Sequence, residues 1–424
     1  MKGFLFRLAI LMLIILHVFT LSAVDFGLMS NQIFSVDGKG TDGDSARDGL
    51  AYSATLNPWL TAPLGPSSGG FGKLYLSAAV TADYAHSTEE WTFIPELLRT
   101  EAVFRMAGMM EISAGRMFYS DSLGFVANGL FDGVRFSLDL RNKGIFGAGI
   151  WYTGLLYKET TEITMTGEDM FAFSKVLDYS DFTNTYFASR RLLAALDWDN
   201  PNLAEWLGLQ IALISQTDLT GNKNRYHSQY LTAKATIPAG NFVFGLGICA
   251  ELSEYLPDSS FEDSDTQVKV GLAGELELGW MLPATSIQDQ LTLAGRFSSG
   301  TVKNSTFGAF VPVTTHAQGD ILQAKLSGLS AIMLNYLARL NRNFSVFLGG
   351  TYFILSDKGT YEGYPAGKEG YFLGSEFFGR LIWSPVSDLM INLGGGVFLP
   401  SLGNAGSKEN PLWRMELSVT LMIY

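Results

Sequence analysis

The chain has one cysteine and four histidines in 424 residues, and no long apolar run beyond residue 23. A lone Cys249 excludes an internal disulfide, and its place in an alternating segment reads as a small side chain within a strand. His86, His227 and His316 lie on separate segments. No Ser/His/Asn or Asp/His constellation is legible, so no enzyme is expected. The longest later apolar stretch, Leu326 to Leu340, is broken by Ser327, Ser330 and Asn335. A membrane-spanning helix needs about twenty apolar residues. Basic residues are in deficit, 29 Lys+Arg against 41 Asp+Glu with net charge −12, which argues against a nucleic-acid partner. Asp37 to Asp48 and Asp258 to Asp265 carry oxygen ligands suited to Ca²⁺ but lack the spacing of an EF-hand loop. They read as solvated loops, and neither metal nor cofactor is expected.

The N-terminus has a short basic start at Lys2 and Arg7, an apolar run from Leu8 to Leu21, and Leu21-Ser22-Ala23 as a small-residue cleavage site. Residues 1–23 are therefore expected to be a secretory signal peptide. Residues 24–424 are expected to form one exported domain. No Cys follows the cleavage site, which argues against lipid attachment.

The chain is nevertheless 47% hydrophobic and contains 46 Gly. High hydrophobicity without spanning helices is what alternating lipid-facing strands produce. The last twelve residues show the pattern most plainly. Trp413, Met415, Leu417, Val419, Leu421 and Ile423 share one side of a period-two strand, against Arg414, Glu416, Ser418 and Thr420 on the other. About eighteen such segments run from 25–36 to 412–424, each with its connection close to the span of a transmembrane strand plus loop. Their links alternate in length. Short ones fall at 107–108, 142–144, 199–202, 239–240, 341–342 and 384–388, and longer polar ones at 37–48, 120–132, 158–185, 218–225, 254–265, 300–320, 357–369 and 400–411. Outer-membrane barrels have short periplasmic turns and long external loops. The links 61–72 and 282–288 are longer than that rule, and the one near His86 is shorter. The expectation is an all-β fold: one antiparallel transmembrane β-barrel in a bacterial outer membrane, with both termini periplasmic and the long loops extracellular. Its partners would be outer-membrane lipid and, through the C-terminal strand, the barrel-assembly machinery.

Phasing the strands assigns two faces. Leu246, Ile248, Leu276, Leu417 and Leu421 are expected outward, with Trp59, Trp198, Trp280, Trp383 and Trp413 in aromatic girdles. Gly245, Gly247, Gly394 and Gly396 fall on the inner phase and would widen the lumen or mark kinks. Tyr424 falls on the inner phase as well, against the usual lipid-facing terminal aromatic, unless a bulge or a frayed end intervenes. The expected pore-lining set is Arg99, Arg105, Arg135, Arg191, Lys234, Lys269, Arg296, Arg339, Arg380 and Arg414, with Glu275, Glu277 and Glu376. Glu101, Glu251 and Glu416 share that inner phase. The inner wall is thus net basic in an acidic chain. That pattern fits a field favouring anions, and it fits equally an interior braced by cross-strand Arg–Glu pairs.

Gly115-Arg116-Met-Phe-Tyr119, followed by Phe131-Asp-Gly-Val-Arg-Phe136, resembles the Gly-Arg and Phe-Asp-Gly-Val-Arg segments of alginate-export-type outer-membrane barrels. The likeness covers about twenty residues and lacks the Gln that often follows the Gly-Arg pair, here Met117. It implies an eighteen-stranded channel with an Arg-rich lumen for an anionic polysaccharide, with Arg135 as a lumen contact and Asp132 as a loop brace. Arg116 falls on the lipid phase by alternation, so either a bulge occurs there or the likeness fails at that residue.

The longest and most apolar loop, 158–185, contains Met165, Met170, Phe171, Phe173 and Val176. Folding into the pore as a constriction and standing as an exposed cap are both open. The functional expectation is a porin-like channel for passive diffusion of small or oligomeric hydrophilic solutes, anions among them. The alternatives are a surface adhesin or structural barrel with a closed lumen, and a hydrophobic-ligand transporter.

Overall fold

The computed structural model describes residues 24–40, 49–64, 72–106, 108–221, 224–256, 266–283, 287–302, 305–314, 317–357, 370–405 and 409–424. The expected signal peptide, His316, most of 37–48 and of 254–265, and nearly all of 357–369 lie outside them. Eighteen strands form one sheet. In chain order they are β1 (Asp25–Lys39), β2 (Leu50–Leu64), β3 (Gly72–Ala85), β4 (Glu90–Met106), β5 (Met110–Ser120), β6 (Asn128–Asp139), β7 (Ile145–Tyr152), β8 (Arg191–Ala204), β9 (Leu207–Asp218), β10 (Arg225–Ala239), β11 (Phe242–Leu256), β12 (Gln267–Met281), β13 (Gln288–Ser298), β14 (Leu329–Arg339), β15 (Phe344–Leu355), β16 (Phe372–Val386), β17 (Leu389–Leu399) and β18 (Leu412–Ile423). Each pairs antiparallel with its neighbours, and β1 pairs with both β2 and β18. The sheet is closed, so no strand is left as an edge, although β5 pairs with β4 only over Thr100 to Met106.

Alternation sets the faces. In β11, Phe244, Leu246, Ile248 and Leu252 are exposed on the outside, while Cys249, Glu251 and Ser253 are buried inside. The same phase leaves Leu276, Leu417 and Leu421 exposed. Trp280 stacks on Phe242 at 5.7 Å and Trp383 on Phe344 at 5.8 Å, near the end of the barrel that carries the short turns. We call this the turn end and the opposite one the loop end.

Several boundaries differ from the sequence expectation: the links expected at 120–132 and 158–185 run over 121–127 and 153–190. Residues 199–202 do not turn: β8 runs on to Ala204, with a register shift between Asn200 and Ala204. Residues 321–328 are not strand but belong to the long link between β13 and β14.

The interior at the loop end is not an open water column. Among the described residues, three links fold inward: 121–127, 153–190 and the described parts of 299–328. Phe125, Val126, Ile163, Met165, Phe310, Val313 and Leu326 from these links join Met117, Trp151, Ile214 and Tyr230 of the wall in one buried cluster. Burying that much apolar surface, at roughly 25 cal/mol per Å², is what draws the links in. Gly247 shows how close they come, because a Cβ there would lie 2.1 Å from Leu123 Cδ2. That glycine admits a loop rather than widening the lumen, and Gly394 and Gly396 likewise lie under the Phe378 ring.

Candidate functional site: the inner wall and its inward loops

The link 153–190 carries three short helices, α1 (Lys158–Thr161), α2 (Gly167–Ser174) and α3 (Phe182–Thr185). A capping box starts α2: Thr166 Oγ1 accepts from Asp169 N, and Asp169 Oδ2 accepts from Thr166 N. Lys158 Nζ closes its far end by donating to the carbonyls of Ala172 and Lys175. Burial holds that ammonium's pKa below the usual lysine range. Met165 is packed inside, whereas Phe171 and Val176 are exposed, so the loop is constriction on one side and cap on the other.

Arg191 anchors it. The side chain is fully buried and paired with Asp169 of α2 and Asp218 of β9. This corrects its expected place on an open wall: 153–190 folds over it, and its charge is spent on two carboxylates. Glu376 is corrected in the same way. It is 2% exposed and accepts from the backbone N–H groups of Asp320 and Leu322. Glu251 accepts from Tyr226 Oη and from the N–H of Val311, holding the other half of 299–328. In the link 121–127, Asp121 accepts from the N–H groups of Leu123, Val126 and Ala127. Burial still pushes its carboxyl pKa up.

The remaining expected residues sit on the inner phase, most of them with identifiable partners. Arg99 pairs with Glu101 at 2.5 Å and Arg105 with Glu111 at 2.9 Å. Arg135 pairs with Asp197 at 2.6 Å, and its guanidinium lies 5.5 Å from the Tyr119 ring. Glu275 takes both Arg296, at 2.7 Å, and Lys234, at 3.6 Å. Arg380 pairs with Asp320 at 3.6 Å and Arg414 with Asp37 at 2.9 Å. Lys269 Nζ donates to the Ser305 carbonyl. Arg339 is exposed at the turn end of β14, and Glu277 and Glu416 are half-buried.

Sequence reasoning missed the counter-ions Asp197, Glu111, Asp320 and Asp37. Glu111 and Asp197 had a signal, since both fall on the inner phase of their strands. Asp320 had none, because it lies on a loop.

The pairing is uneven in depth. The side chains of Arg99 and Arg296 are 47% and 30% exposed, over Glu101 and Glu275 at 8% and 5%. Here the cation faces the interior space and the carboxylate lies beneath it. At Arg380 and Arg414 the order is reversed, and the acids are more exposed than the bases.

Arg116 is neither outside nor on a bulge. β5 keeps one-to-one register with β4 and β6, but Gly115 takes φ +115° and the β4–β5 ladder ends at the Thr100–Arg116 pair. Arg116 fills the crevice where the strands part. It makes two 2.8 Å bonds to Asp132 and donates to the carbonyls of Leu97 and Leu155. Leu97 O lies on the stretch of β4 that β5 no longer pairs.

Trp59 is corrected as well, because it points inward. Its ring stacks on Tyr75 at 6.5 Å and meets Tyr424 edge-on at 6.1 Å. Tyr424 keeps its inner phase, since the β1–β18 register runs unbroken from Leu28–Ile423 to Lys39–Leu412. Of the two other histidines, His227 Nδ1 accepts from the Asp218 N–H and His86 sits beside Tyr84 at the β3–β4 turn.

No protein-family model matches the chain, and no curated protein does. Solved structures do. The chain is similar to Pseudomonas aeruginosa OccK11 (OpdR), at 11% identity and TM-score 0.57, over 95% of this chain and 96% of that one. It is similar to OccK2 (OpdF) from the same organism, solved in complex with glucuronate, at 11% identity and TM-score 0.57, over 94% and 96%. The third is P. aeruginosa OpdK, solved with vanillate, at 10% identity and TM-score 0.57, over 94% and 99%. At such identities the likeness is one of fold: this chain shares its closed eighteen-stranded barrel with those proteins from end to end.

Proposed function

We propose that the chain is a porin-like channel of a bacterial outer membrane that passes hydrophilic solutes by passive diffusion and prefers anions modestly. The exposed apolar band faces lipid, both termini are periplasmic, and the loop end faces out. The observation that carries the anion preference is the depth asymmetry at Arg99 and Arg296, whose cations stand over buried carboxylates. Charges lining a confined space act through a lower effective dielectric than charges on open loops. Their reach is about 8–10 Å at physiological salt, so the wall outweighs the acidic loops locally. The fold shared with channels solved with glucuronate and vanillate supports a small organic acid as the solute. The likeness to alginate-export-type barrels would extend that to an anionic oligosaccharide, and inward links 121–127, 153–190 and 299–328 favour the smaller solute. The test is the reversal potential of single channels in planar bilayers under a KCl gradient. An anion-selective potential that weakens as salt rises is expected. A cation-selective one refutes the anion preference, and absence of current from folded, inserted protein refutes the channel.

A further inference from the structure

Between β4 and β5 the wall is not closed by a ladder over its full height. β4 runs from Glu90 to Met106, but β5 pairs with it only from Thr100 to Met106. A register shift of β4 against β3 falls just above that limit, between Leu76 and Ala78. The carbonyls of Pro95 and Leu97 point into the gap this leaves. The first accepts from Tyr186 Oη at 2.6 Å and the second from Arg116. Pro95 brings no N–H to the gap, as suits a strand edge.

The filling is the link 153–190, and side chains hold it there. Arg116 donates to Leu155 O at 2.9 Å, and Thr160 Oγ1 donates to Glu96 at 3.1 Å. On the outer face of the two strands Leu97 and Phe118 are exposed, and Leu155 of the link is exposed as well. On the inner face Ile94 is buried with Tyr157 and Tyr186. From there a run of rings follows the link. Tyr157 lies 4.8 Å from Tyr186, Tyr186 4.4 Å from Phe182, and Phe182 6.3 Å from Tyr179, which is exposed. Apolar surface thus leads from the loop end to the gap and continues on the outer wall. The charges at the gap do not invite an anion. Arg116 is taken up by Asp132, in two 2.8 Å bonds, and by the two carbonyls, while Glu96 adds a negative charge on the inner phase.

We infer that uncharged apolar molecules pass from the loop end along these rings and leave sideways between β4 and β5 into the bilayer, the link 153–190 yielding to let them through. This route is separate from the aqueous one. It rests on the barrel lying in a membrane and not on the anion preference. Unpaired backbone is costly in hydrocarbon, so the gap must be covered. A cover held by side-chain hydrogen bonds and stacked rings can move aside without unzipping a strand.

The probe is N-phenylnaphthylamine, which is uncharged, apolar and fluorescent once in hydrocarbon. Its uptake is followed in cells whose lipopolysaccharide outer leaflet retards it, with and without the protein. Leu97→Cys with Leu155→Cys, on a Cys249→Ser background, is joined by a bis-methanethiosulfonate linker and released by reductant. Wild type and the free-thiol form should take up probe severalfold faster than cells lacking the protein. The linker should return uptake to the level of those cells, reductant should restore it, and KCl conductance in planar bilayers should be the same in both forms. Leu155→Asp, which needs no linker, should slow uptake with conductance unchanged. Uptake no faster than in cells lacking the protein overturns the side route and leaves the channel standing, and so does uptake untouched by both the linker and Leu155→Asp. Loss of current together with uptake on cross-linking also overturns it, because the probe would then share the aqueous path. Linker-sensitive uptake through a barrel that carries no KCl current would sink the channel reading and keep the side route.

Discussion

Arg191 offers the sharpest test of how the interior is held. Arg191→Met removes a guanidinium from a fully buried site and leaves Asp169 and Asp218 facing each other. Breaking a buried ion pair from one side costs about 3–5 kcal/mol, because the abandoned charge stays desolvated. The hydrogen bonds that remain decide where in that range the loss falls. Asp169 keeps the Thr166 N–H, and Asp218 keeps Thr220 N–H and Oγ1 and the Tyr226 N–H. With both carboxylates still partly solvated by backbone, about 3 kcal/mol is expected. The loss should be local, because Asp169 belongs to the link 153–190 while Arg191 and Asp218 belong to the wall. The assay is urea unfolding of the barrel in liposomes, beside limited trypsin digestion between Lys158 and Arg190. Arg191→Met should be cut there while the strands stay protected, and Asp169→Asn on top of it should recover part of the loss, with a coupling of about 0.5–3 kcal/mol. A single variant that loses less than about 1 kcal/mol and stays uncut would show that apolar burial alone holds the loop.

Leu246→Arg puts a charge on the outer face at a side chain now 55% exposed, and should cost about 2–4 kcal/mol if that site lies at the membrane midplane. A water-soluble thiol reagent, on a Cys249→Ser background, should label a cysteine at 380 and leave one at 417 unlabelled; the reverse pattern inverts the assigned faces. Arg105→Gln with Arg380→Gln should move the reversal potential toward cations, and an unchanged potential would mean those exposed cations do not set the field. Burial lowers the Lys158 pKa, so the penalty on its ammonium is full at neutral pH and is relieved as pH climbs from the lowered value toward the ordinary one. The stability of wild type relative to Lys158→Met should therefore rise between pH 7 and pH 9.5, and a flat or falling difference in urea midpoints would contradict it.

The wall was legible because a period of two is a local signal: each strand states its own two faces and needs nothing from its neighbours. Leu246 outside and Glu251 inside follow from β11 alone. Strand count and alternating link lengths were legible for the same reason. What a link does after leaving the sheet was not. Nothing in 299–328 states that Val311 will meet Glu251 or that Asp320 will reach Arg380, because those contacts join residues about sixty apart in the chain. Trp59 escaped on a different ground. Near a strand end, a tryptophan suits either a lipid interface or an interior ring cluster, and only the pairing of β2 with β1 and β3, and of β1 with β18, brings Gly27, Tyr75 and Tyr424 to it. Arg116 needed the ladder's end at Thr100, and alternation carries no trace of where a partner strand stops pairing.

These placements change what a count of wall charges measures. By residue type, Glu251, Glu275 and Glu376 look like three negative charges set against the arginines. Glu251 and Glu376 instead receive backbone N–H groups from 299–328, so their charge is met by peptide dipoles and exhausted in holding a loop. Arg191 is the mirror case, a cation exhausted by two aspartates. Only groups that still reach the interior space contribute to its field, and those include Arg99, Arg105 and Arg296 on the positive side and Asp37, Glu111 and Asp320 on the negative. The buried members of both signs serve to position the loops, and the loops determine how narrow the space is. The barrel therefore divides its ionic residues between gripping the inward links and facing the interior space. Burial, which alternation alone does not report, decides which role each one has.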